Sequence, residues 1–298
     1  MSLIFSYMEE KLVYLSFQII ILFASGTITI IQHPQPGCHN PNITSNQPNV
    51  SLEKGLYLGQ QVSNKRKPYD TAVDVGCGTG RYTLPLAAHF KNVIGVDISE
   101  SQLEEAKQFC PLENVTFQVA AAENLPLEDA SVDLVNAGLA AHWFNVEKFV
   151  HEAIRVLKPN GCLAVHACVP TFKIQDGHND PALNAIIKEY MDKVSKYNYK
   201  NNNLMHHQYE EVFNAIPLKD KRWVTDIPVV FEMSVGEIIG LFQSIYMYQE
   251  FLKHDKNEAI RFLTQLEQRF VDILGDESES ALIQFHIKHY CVQACKSS

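Results

Sequence analysis

The run Val73-Asp74-Val75-Gly76-Cys77-Gly78-Thr79-Gly80 decides the fold of this 298-residue chain. Its β-branched valines predict a buried strand, and its three glycines at alternate positions predict a tight turn at the end of that strand. The residues from Arg81 to Phe90 follow as a predicted helix. Because glycine has no Cβ, such a turn lets a ligand approach the backbone, so we expect a ligand site here.

The glycine spacing indicates which kind of ligand the turn suits. Dinucleotide-binding proteins use G-x-G-x-x-G, whereas this turn reads G-x-G-x-G, with Arg81 at the position of the third dinucleotide glycine. A nicotinamide-dependent oxidoreductase is therefore the poorer interpretation, although it stays as an alternative.

A second apolar strand, Val93 to Asp97, ends in an acidic residue. In a parallel sheet Asp97 comes to the same edge as the glycine turn, where its carboxylate can accept hydrogen bonds from both hydroxyls of a ribose. Ser99 precedes a predicted helix from Glu100 to Phe109, with Gln102 at the capping-box position. The cap and the ligand contact are thus predicted at different residues.

Strands and helices alternate five times along the first part of the domain. This pattern predicts an α/β fold with a parallel sheet, right-handed crossovers and ligands at the carboxyl edge of the strands. The further predicted strands are 115–119, 131–137, 162–169, 223–231 and 283–294, and the further predicted helices are 146–157, 184–197, 204–215, 235–252 and 256–274.

Charge and cysteine content narrow the classes of partner. The formal net charge of −9 lacks the basic footprint of a nucleic-acid-binding protein, which favours a small-molecule partner. The seven cysteines are odd in number and scattered, so we predict reduced thiols in a cytoplasmic protein. Their spacing is not that of a zinc site, and we expect no metal.

The amino-terminal part, residues 1–50, is predicted to lie outside the globular domain at 51–298. Residues 12–31 form an apolar run long enough to cross a bilayer, so a membrane anchor is one interpretation and an appended leader is the other. Glu9 and Glu10 argue against a signal peptide, which needs a positive leading region. Residues 32–50 are rich in Pro, Asn, Gln and Ser and predict a flexible linker.

The acidic residue followed by G-x-G-x-G resembles the first motif of the class I S-adenosylmethionine-dependent methyltransferases. The stretch Ala140-Ala141-His142-Trp143-Phe144 is similar to the trans-aconitate methyltransferase type, within the type 11 methyltransferase domains. The resemblance implies S-adenosylmethionine as the cofactor. It also implies a Rossmann-like, doubly wound, mostly parallel seven-stranded sheet with an antiparallel last strand and a helical substrate lid at about 171–215.

The resemblance also implies a set of site residues. His142 is the one histidine we consider for proton handling, with a pocket-wall role as the alternative, and Trp143 is expected in the wall beside it. The predicted cofactor-binding residues are Asp74, Gly76, Cys77, Gly78, Gly80, Asp97, Ile98, Ala122, Glu123 and Ala137. Further candidates for the substrate cavity are Met233, Ser234, Ser244, Tyr246, Tyr248 and Gln249.

The predicted reaction is O-methylation of a small carboxylic acid. A carboxylate is ionised at neutral pH and needs no general base, which suits a sequence without an obvious one. The alternative is a donor-binding pseudoenzyme or interaction protein. It rests on the short segment 53–64, where methyltransferases of this type have a longer segment that folds over the donor.

Overall fold

The computed structural model describes residues 69–175, 177–197, 203–275 and 281–297. The apolar run at 12–31, the linker at 32–50 and the segment 53–64 lie outside these residues. Within them, no helix is both long enough and apolar enough to cross a membrane.

A seven-stranded sheet forms the centre of the described structure, with strand order β3-β2-β1-β4-β5-β7-β6. Strand β7 runs antiparallel to both of its neighbours, and the pairs from β3 to β5 are parallel. The predicted mostly parallel sheet with an antiparallel last strand is confirmed. The strands are β1 (Tyr69–Val75), β2 (Phe90–Asp97), β3 (Val115–Val119), β4 (Val132–Gly138), β5 (Leu157–Gln175), β6 (Asp220–Met233) and β7 (Ile283–Cys295).

The helices lie in the crossovers and in a long insertion between β5 and β7. They are α1 (Thr83–Leu86), α2 (Glu100–Phe109), α3 (Val146–Val156), α4 (Asp180–Val194), α5 (Asn203–His206), α6 (Glu210–Ala215), α7 (Val235–Ser244), α8 (Tyr246–His254) and α9 (Lys256–Leu274), with short 3₁₀ turns at Ala141–Trp143 and Ser195–Tyr197.

The helix after the glycine turn is much shorter than the sequence predicts. Only Thr83–Leu86 is α-helical, and the following amides of Ala87, Ala88 and His89 bond to carbonyls three residues back. Pro85 explains the change, because it has no N–H to bond to the carbonyl of Arg81. The prediction of a helix from 81 to 90 was wrong in length, and the chain enters β2 already at Phe90.

Strand β5 is much longer than predicted and replaces the start of the predicted lid. It runs for 19 residues and pairs with β7 as far as Gln175 opposite Gln284. The helical insertion therefore begins at Asp180, not near 171. The predicted helix 235–252 is also divided, because Ile245 has an extended backbone between α7 and α8.

The prediction that all cysteines are reduced is corrected by a disulfide between Cys162 and Cys295. These residues are direct cross-strand partners on β5 and β7, although 133 positions separate them in sequence. The free cysteines among the described residues are Cys77, Cys110, Cys168 and Cys291. In the described ranges no cluster of His, Cys, Asp or Glu could hold a metal ion.

The helices α4 and α7 to α9, which we call the lid helices, share a hydrophobic cluster with β5, β6 and β7, separate from the core around β1 and β4. At its centre the ring of Tyr190 on α4 stacks on Phe242 of α7 with centroids 3.8 Å apart. The Tyr190 hydroxyl donates to the carbonyl of Phe242 at 2.6 Å, and both rings are fully buried. This contact joins the first lid helix to the helix that lines the cavity described below.

Two substitutions of Tyr190 distinguish the contribution of its hydrogen bond to stability from that of its ring packing. Tyr190→Phe leaves the Phe242 carbonyl with only the longer bond from the Ile245 amide, at 3.4 Å, and should lower the free energy of unfolding by about 1 kcal/mol. Tyr190→Ala also leaves a cavity and should cost about 3–5 kcal/mol. Denaturant unfolding measures both, with Tyr197→Phe as a control at a half-buried tyrosine of the same lid. Equal effects of Tyr190→Phe and Tyr197→Phe would contradict the role of this bond.

Candidate cofactor and substrate site

A cavity of about 760 Å³ lies at the carboxyl edge of the sheet, under the lid helices. Its volume is in the usual range of small-molecule sites. Nine of the twelve residues predicted for the cofactor, His142 and Trp143 included, line it: Gly76, Cys77, Gly78, Asp97, Ile98, Ala122, Glu123, His142 and Trp143. Asp74, Gly80 and Ala137 do not line the cavity, so any effect they have on a ligand passes through neighbouring residues.

The glycine turn is held tightly between β2 and the loop after β4. The amides of Gly76 and Cys77 both donate to the carbonyl of Val96, at 2.7 and 3.0 Å. Gly76 has a φ of +68°, and a Cβ there would lie 2.6 Å from the Cβ of Ala140. Glycine is therefore needed for the backbone conformation and for close packing, besides any approach of a ligand.

Asp97 is placed as the sequence predicts, at the end of β2 and facing the turn. One carboxylate oxygen accepts from the amide of Gly78 and the other from the amide of Ser99, both at 2.9 Å. Each oxygen keeps a second lone pair, so the carboxylate can accept two more hydrogen bonds. That arrangement fits a vicinal diol such as that of a ribose.

Small and apolar residues line the cavity next to Asp97. The side chain of Ile98 is 75% exposed, and Ala120 and Ala122 lie on the loop after β3. These residues fit the flat face of an adenine ring. The carboxylate of Glu123 accepts from the amide of Asn145 at 2.7 Å, so its side chain fixes this loop to the start of α3.

Asp74 is fully buried behind the glycine turn. Its carboxylate accepts from the hydroxyl of Thr83 at 2.7 Å and from the side-chain amide of Asn136 at 2.8 Å. Burial raises the pKa of Asp74 to about 6, against the effect of these two donors. Asp74 thus joins β1, β4 and α1 beneath the cavity.

His142 and Trp143 lie in the 3₁₀ turn after β4. The His142 Nδ1 is 3.1 Å from the hydroxyl of Tyr209, a fully buried residue with a φ of +62°. Burial raises the pKa of Tyr209, so the hydroxyl keeps its proton and can donate it to Nδ1. In that arrangement Nδ1 accepts the hydrogen bond and the ring proton of His142 is on Nε2.

Trp143 connects the two sides of the cavity mouth. Its ring meets the edge of Tyr246, on lid helix α8, with centroids 5.2 Å apart. Such edge-to-face pairs are favourable beyond the area they bury. Trp143 is still 43% exposed, so the aromatic pair lies at the entrance.

Most of the cavity-lining residues that come from β5, β7 and the helices between them were not predicted from the sequence. We call this set the acceptor part: Cys168, Phe172, Met191, Met205, Leu241, Ser244, Ile245, Tyr246, Met247, Ile287 and His289. Only Ser244 and Tyr246 were predicted. Tyr248, Gln249, Met233 and Ser234 were predicted too but do not line the cavity. None of the acceptor-part residues is Asp, Glu, Lys or Arg.

The acceptor part was hard to predict because it depends on long-range pairing. Cys168 and His289 are cross-strand partners on β5 and β7, far apart in sequence. The alternation of Phe285, Ile287 and His289 on β7 shows which side chains share a face of the sheet, but it does not indicate that a cavity lies above that face.

Loss of the Asp97 carboxylate should abolish cofactor binding. Asp97→Ala removes the acceptor for two hydroxyls, so we expect S-adenosylmethionine to bind roughly 100-fold more weakly or not at all in calorimetry. Asp129→Ala is the control, since Asp129 is exposed and lies away from the cavity. Unchanged affinity in a folded Asp97→Ala protein would contradict this site.

The raised pKa of Asp74 predicts a pH-dependent stability difference. The folded protein binds the proton of this group more tightly than the unfolded chain, whose value is near 3.8. Its contribution to stability is therefore present below about pH 4 and lost as the pH rises through about 6. Asp74→Asn lacks this titration.

The stability of Asp74→Asn relative to wild type should accordingly rise by up to about 3 kcal/mol between pH 4 and 7 and stay level above that. Urea unfolding at a series of pH values measures it. A difference that does not change with pH would contradict the raised pKa.

Residues 73–165 match the family model for a methyltransferase domain. A protein of Dictyostelium discoideum named as a methyltransferase is 29% identical over 192 residues, which cover 64% of this chain and 70% of that protein. A Saccharomyces cerevisiae protein named as an S-adenosylmethionine-dependent methyltransferase is 34% identical over 97 residues, covering 31% of this chain and 33% of that protein. The chain spans less than two fifths of the length of the curated relatives other than the first.

A solved structure described as a type II methyltransferase, from Anaeromyxobacter dehalogenans, has the same fold. Its TM-score is 0.63 at 20% identity, over 85% of this chain and all of that chain. The diol acceptor at Asp97, the apolar surface at Ile98 and Ala122, and the cavity volume fit the cofactor of such a domain. Residues 73–165 of the chain thus match a methyltransferase domain, for which S-adenosylmethionine is the cofactor, and the surrounding fold is that of the solved methyltransferase structure.

Proposed function

We propose that this protein methylates the carboxylate of a small, mainly apolar acid. The observation that carries the proposal is the composition of the acceptor part, which combines apolar and aromatic side chains with a few neutral polar groups. It offers neither a cation for a highly charged substrate nor a group suited to remove a proton. S-adenosylmethionine, when bound, supplies the methyl group from a sulfonium.

A carboxylate acceptor suits the available side chains. Hydroxyl and amine acceptors must lose a proton, which calls for a base with a pKa near the working pH. Burial lowers the pKa of His289 to about 4, so this residue is a weak base at neutral pH. The Nδ1 of His142 already has a partner in the Tyr209 hydroxyl. A carboxylate needs neither of them as a base.

The apolar surroundings also favour a single charge on the acceptor. Moving an ionised carboxylate out of water is costly unless it is paired, and the acceptor part has no Lys or Arg to pair with it. One carboxylate can be balanced by the nearby positive sulfonium, because opposite charges attract more strongly at low dielectric. A second or third carboxylate has no such partner in the acceptor part; among the described residues, the one Lys or Arg that lines the cavity is Arg81, next to the glycine turn and over the ring of Phe109. This argues for a monocarboxylic acid and against a tricarboxylate such as trans-aconitate.

The protein's own part in the reaction is positioning. Asp97 holds the donor half, and the apolar helices α7 and α8 hold the acceptor half. Alignment of reacting groups in this way can supply roughly 7–11 kcal/mol of the barrier reduction. The Trp143 and Tyr246 pair narrows the entrance and helps to exclude water. The net charge of −9 supports a small-molecule substrate over nucleic acid, and a cytoplasmic location stays a prediction.

The test is a transfer assay with labelled S-adenosylmethionine and four acids. Decanoate and benzoate represent apolar monocarboxylates, and citrate and trans-aconitate represent polycarboxylates. We expect methyl esters of the first pair only, identified by mass spectrometry, and at least a 10-fold preference in kcat/KM. Asp97→Ala should be inactive and Asp129→Ala should be active.

Other outcomes would replace the proposal in defined ways. Labelled product from an alcohol or amine, with none from any acid, would exclude carboxylate methylation. Saturable cofactor binding without transfer to any member of a wider metabolite panel would favour the donor-binding pseudoenzyme. A preference for the polycarboxylates would show that the apolar acceptor part does not select the substrate.

A further inference from the structure

We propose that His289 is the residue that binds the polar group of the acceptor, through a hydrogen bond in the otherwise apolar acceptor part. This inference rests on the proposed function, because it assigns the recognition of the acceptor's carboxylate to one side chain. His289 lies on β7. Among the residues that line the cavity it comes last in the sequence, whereas the glycine turn comes first.

The ring of His289 lines the cavity and makes no hydrogen bond with the described residues. His289 is only 3% exposed, and its Nδ1 finds no hydrogen-bond partner among the described residues. Leaving a buried polar atom unpaired costs about 1–3 kcal/mol, so such atoms in native proteins usually meet a protein group, a water molecule or a ligand. That atom is covered, whereas the Nε2 of the same ring has no hydrogen bond among the described residues and is not one of the covered atoms, so Nε2 is where a ligand in the cavity can bond.

His289 differs from its polar neighbours on β7 because it lines the cavity. Three other described residues of β7 also have a buried polar atom without a partner: His286, Tyr290 and Gln293. None of those three lines the cavity, whereas His289 does. Its nearest cross-strand partner, Cys168, lines the cavity as well.

A row of polar side chains crosses the sheet from β1 to β7 and ends at His289. Asp74 pairs with Asn136 across β1 and β4, and Asn136 pairs with Ala164 across β4 and β5. His166 and Cys168 lie two and four residues beyond Ala164, and Cys168 pairs with His289. Since side chains alternate between faces along a strand, all the polar members lie on one face of the sheet.

This row fixes the hydrogen-bonding state of its inner members. The Asn136 amide donates to Asp74, so its oxygen faces the Nε2 of His166, at 3.2 Å. An amide oxygen only accepts, and His166 therefore carries its proton on Nε2. Burial, with a smaller effect of nearby His289, lowers the pKa of His166 to about 3, so the imidazole is neutral at pH 7. Asp74, Asn136 and the Nε2 of His166 are thus paired within the protein, and the members of the row that line the cavity are Cys168 and His289.

A neutral imidazole at His289 can donate a hydrogen bond to a carboxylate and can equally donate to an uncharged oxygen. It has one N–H to donate to an acceptor oxygen and introduces no second charge into the cavity. The remaining polar groups nearby are less suited. Ser244 already donates its hydroxyl to the carbonyl of Leu241 at 2.7 Å, and the Nδ1 of His142 meets Tyr209. His289 is therefore a donor among apolar side chains that can bind a polar head on an apolar body, and the Tyr246 hydroxyl at the entrance is the other donor of the acceptor part.

The test compares binding and turnover in three variants of the full chain. His289→Phe keeps an aromatic ring of similar size but removes both ring nitrogens, and His289→Asn restores a neutral N–H. His286→Phe is the matched control on the same strand. Binding of decanoate is measured by calorimetry with the protein saturated with S-adenosylhomocysteine, and KM and kcat are measured for decanoate methylation.

We expect His289→Phe to weaken decanoate binding and to raise its KM at least 10-fold, with a smaller change in kcat and an unchanged affinity for S-adenosylmethionine. His289→Asn should recover part of the loss, and His286→Phe should resemble wild type. Equal decanoate affinity in wild type and His289→Phe would overturn the role of His289 while leaving the proposed function intact. Absence of decanoate binding and methylation in wild type would overturn both. Loss of S-adenosylmethionine affinity in His289→Phe would assign the residue a structural role instead.

Discussion

The carboxylate of Asp97 is the interaction on which the rest of the site depends. It accepts from Gly78 in the glycine turn and from Ser99 at the start of α2, and so joins β2 to the elements on both sides. Two lone pairs remain for a ligand. A carboxylate that already holds the turn and the start of α2 in place, with lone pairs left for a diol, makes the site preorganised, because little rearrangement is needed for a ligand to bind.

Local sequence patterns predicted the donor side of the cavity well. The strand, the glycine turn, the acid at the end of β2 and the Ser99 cap each depend on residues close together in the chain, and the described structure contains all of them. The length of α1 was wrong because Pro85 was not weighed as a break in the helical bonding. The contribution of the predicted residues to cofactor binding stays a prediction, and Asp74, Gly80 and Ala137 lie behind the cavity wall.

The acceptor side could not be predicted in the same way, since it is made by contacts between distant segments. The extension of β5 depends on β7 as a partner, and the Cys162 and Cys295 disulfide depends on the register of that pair. His289 reads in the sequence as one histidine among twelve. Only the fold places it under helices whose apolar residues form a cavity wall, and that placement carries the proposals on substrate class and recognition.

The disulfide between Cys162 and Cys295 closes a covalent loop around one segment of the chain. Every residue of the acceptor part, from Cys168 to His289, lies inside this covalent loop, and the predicted cofactor-binding residues, from Asp74 to Ala137, lie outside it, as do His142 and Trp143. The covalent loop therefore holds the acceptor part, while the predicted donor residues and the two residues of the mouth precede it in the chain. Insertions, deletions or exchanges confined to the loop can change which molecule is accepted, while the machinery for the methyl donor is inherited unchanged.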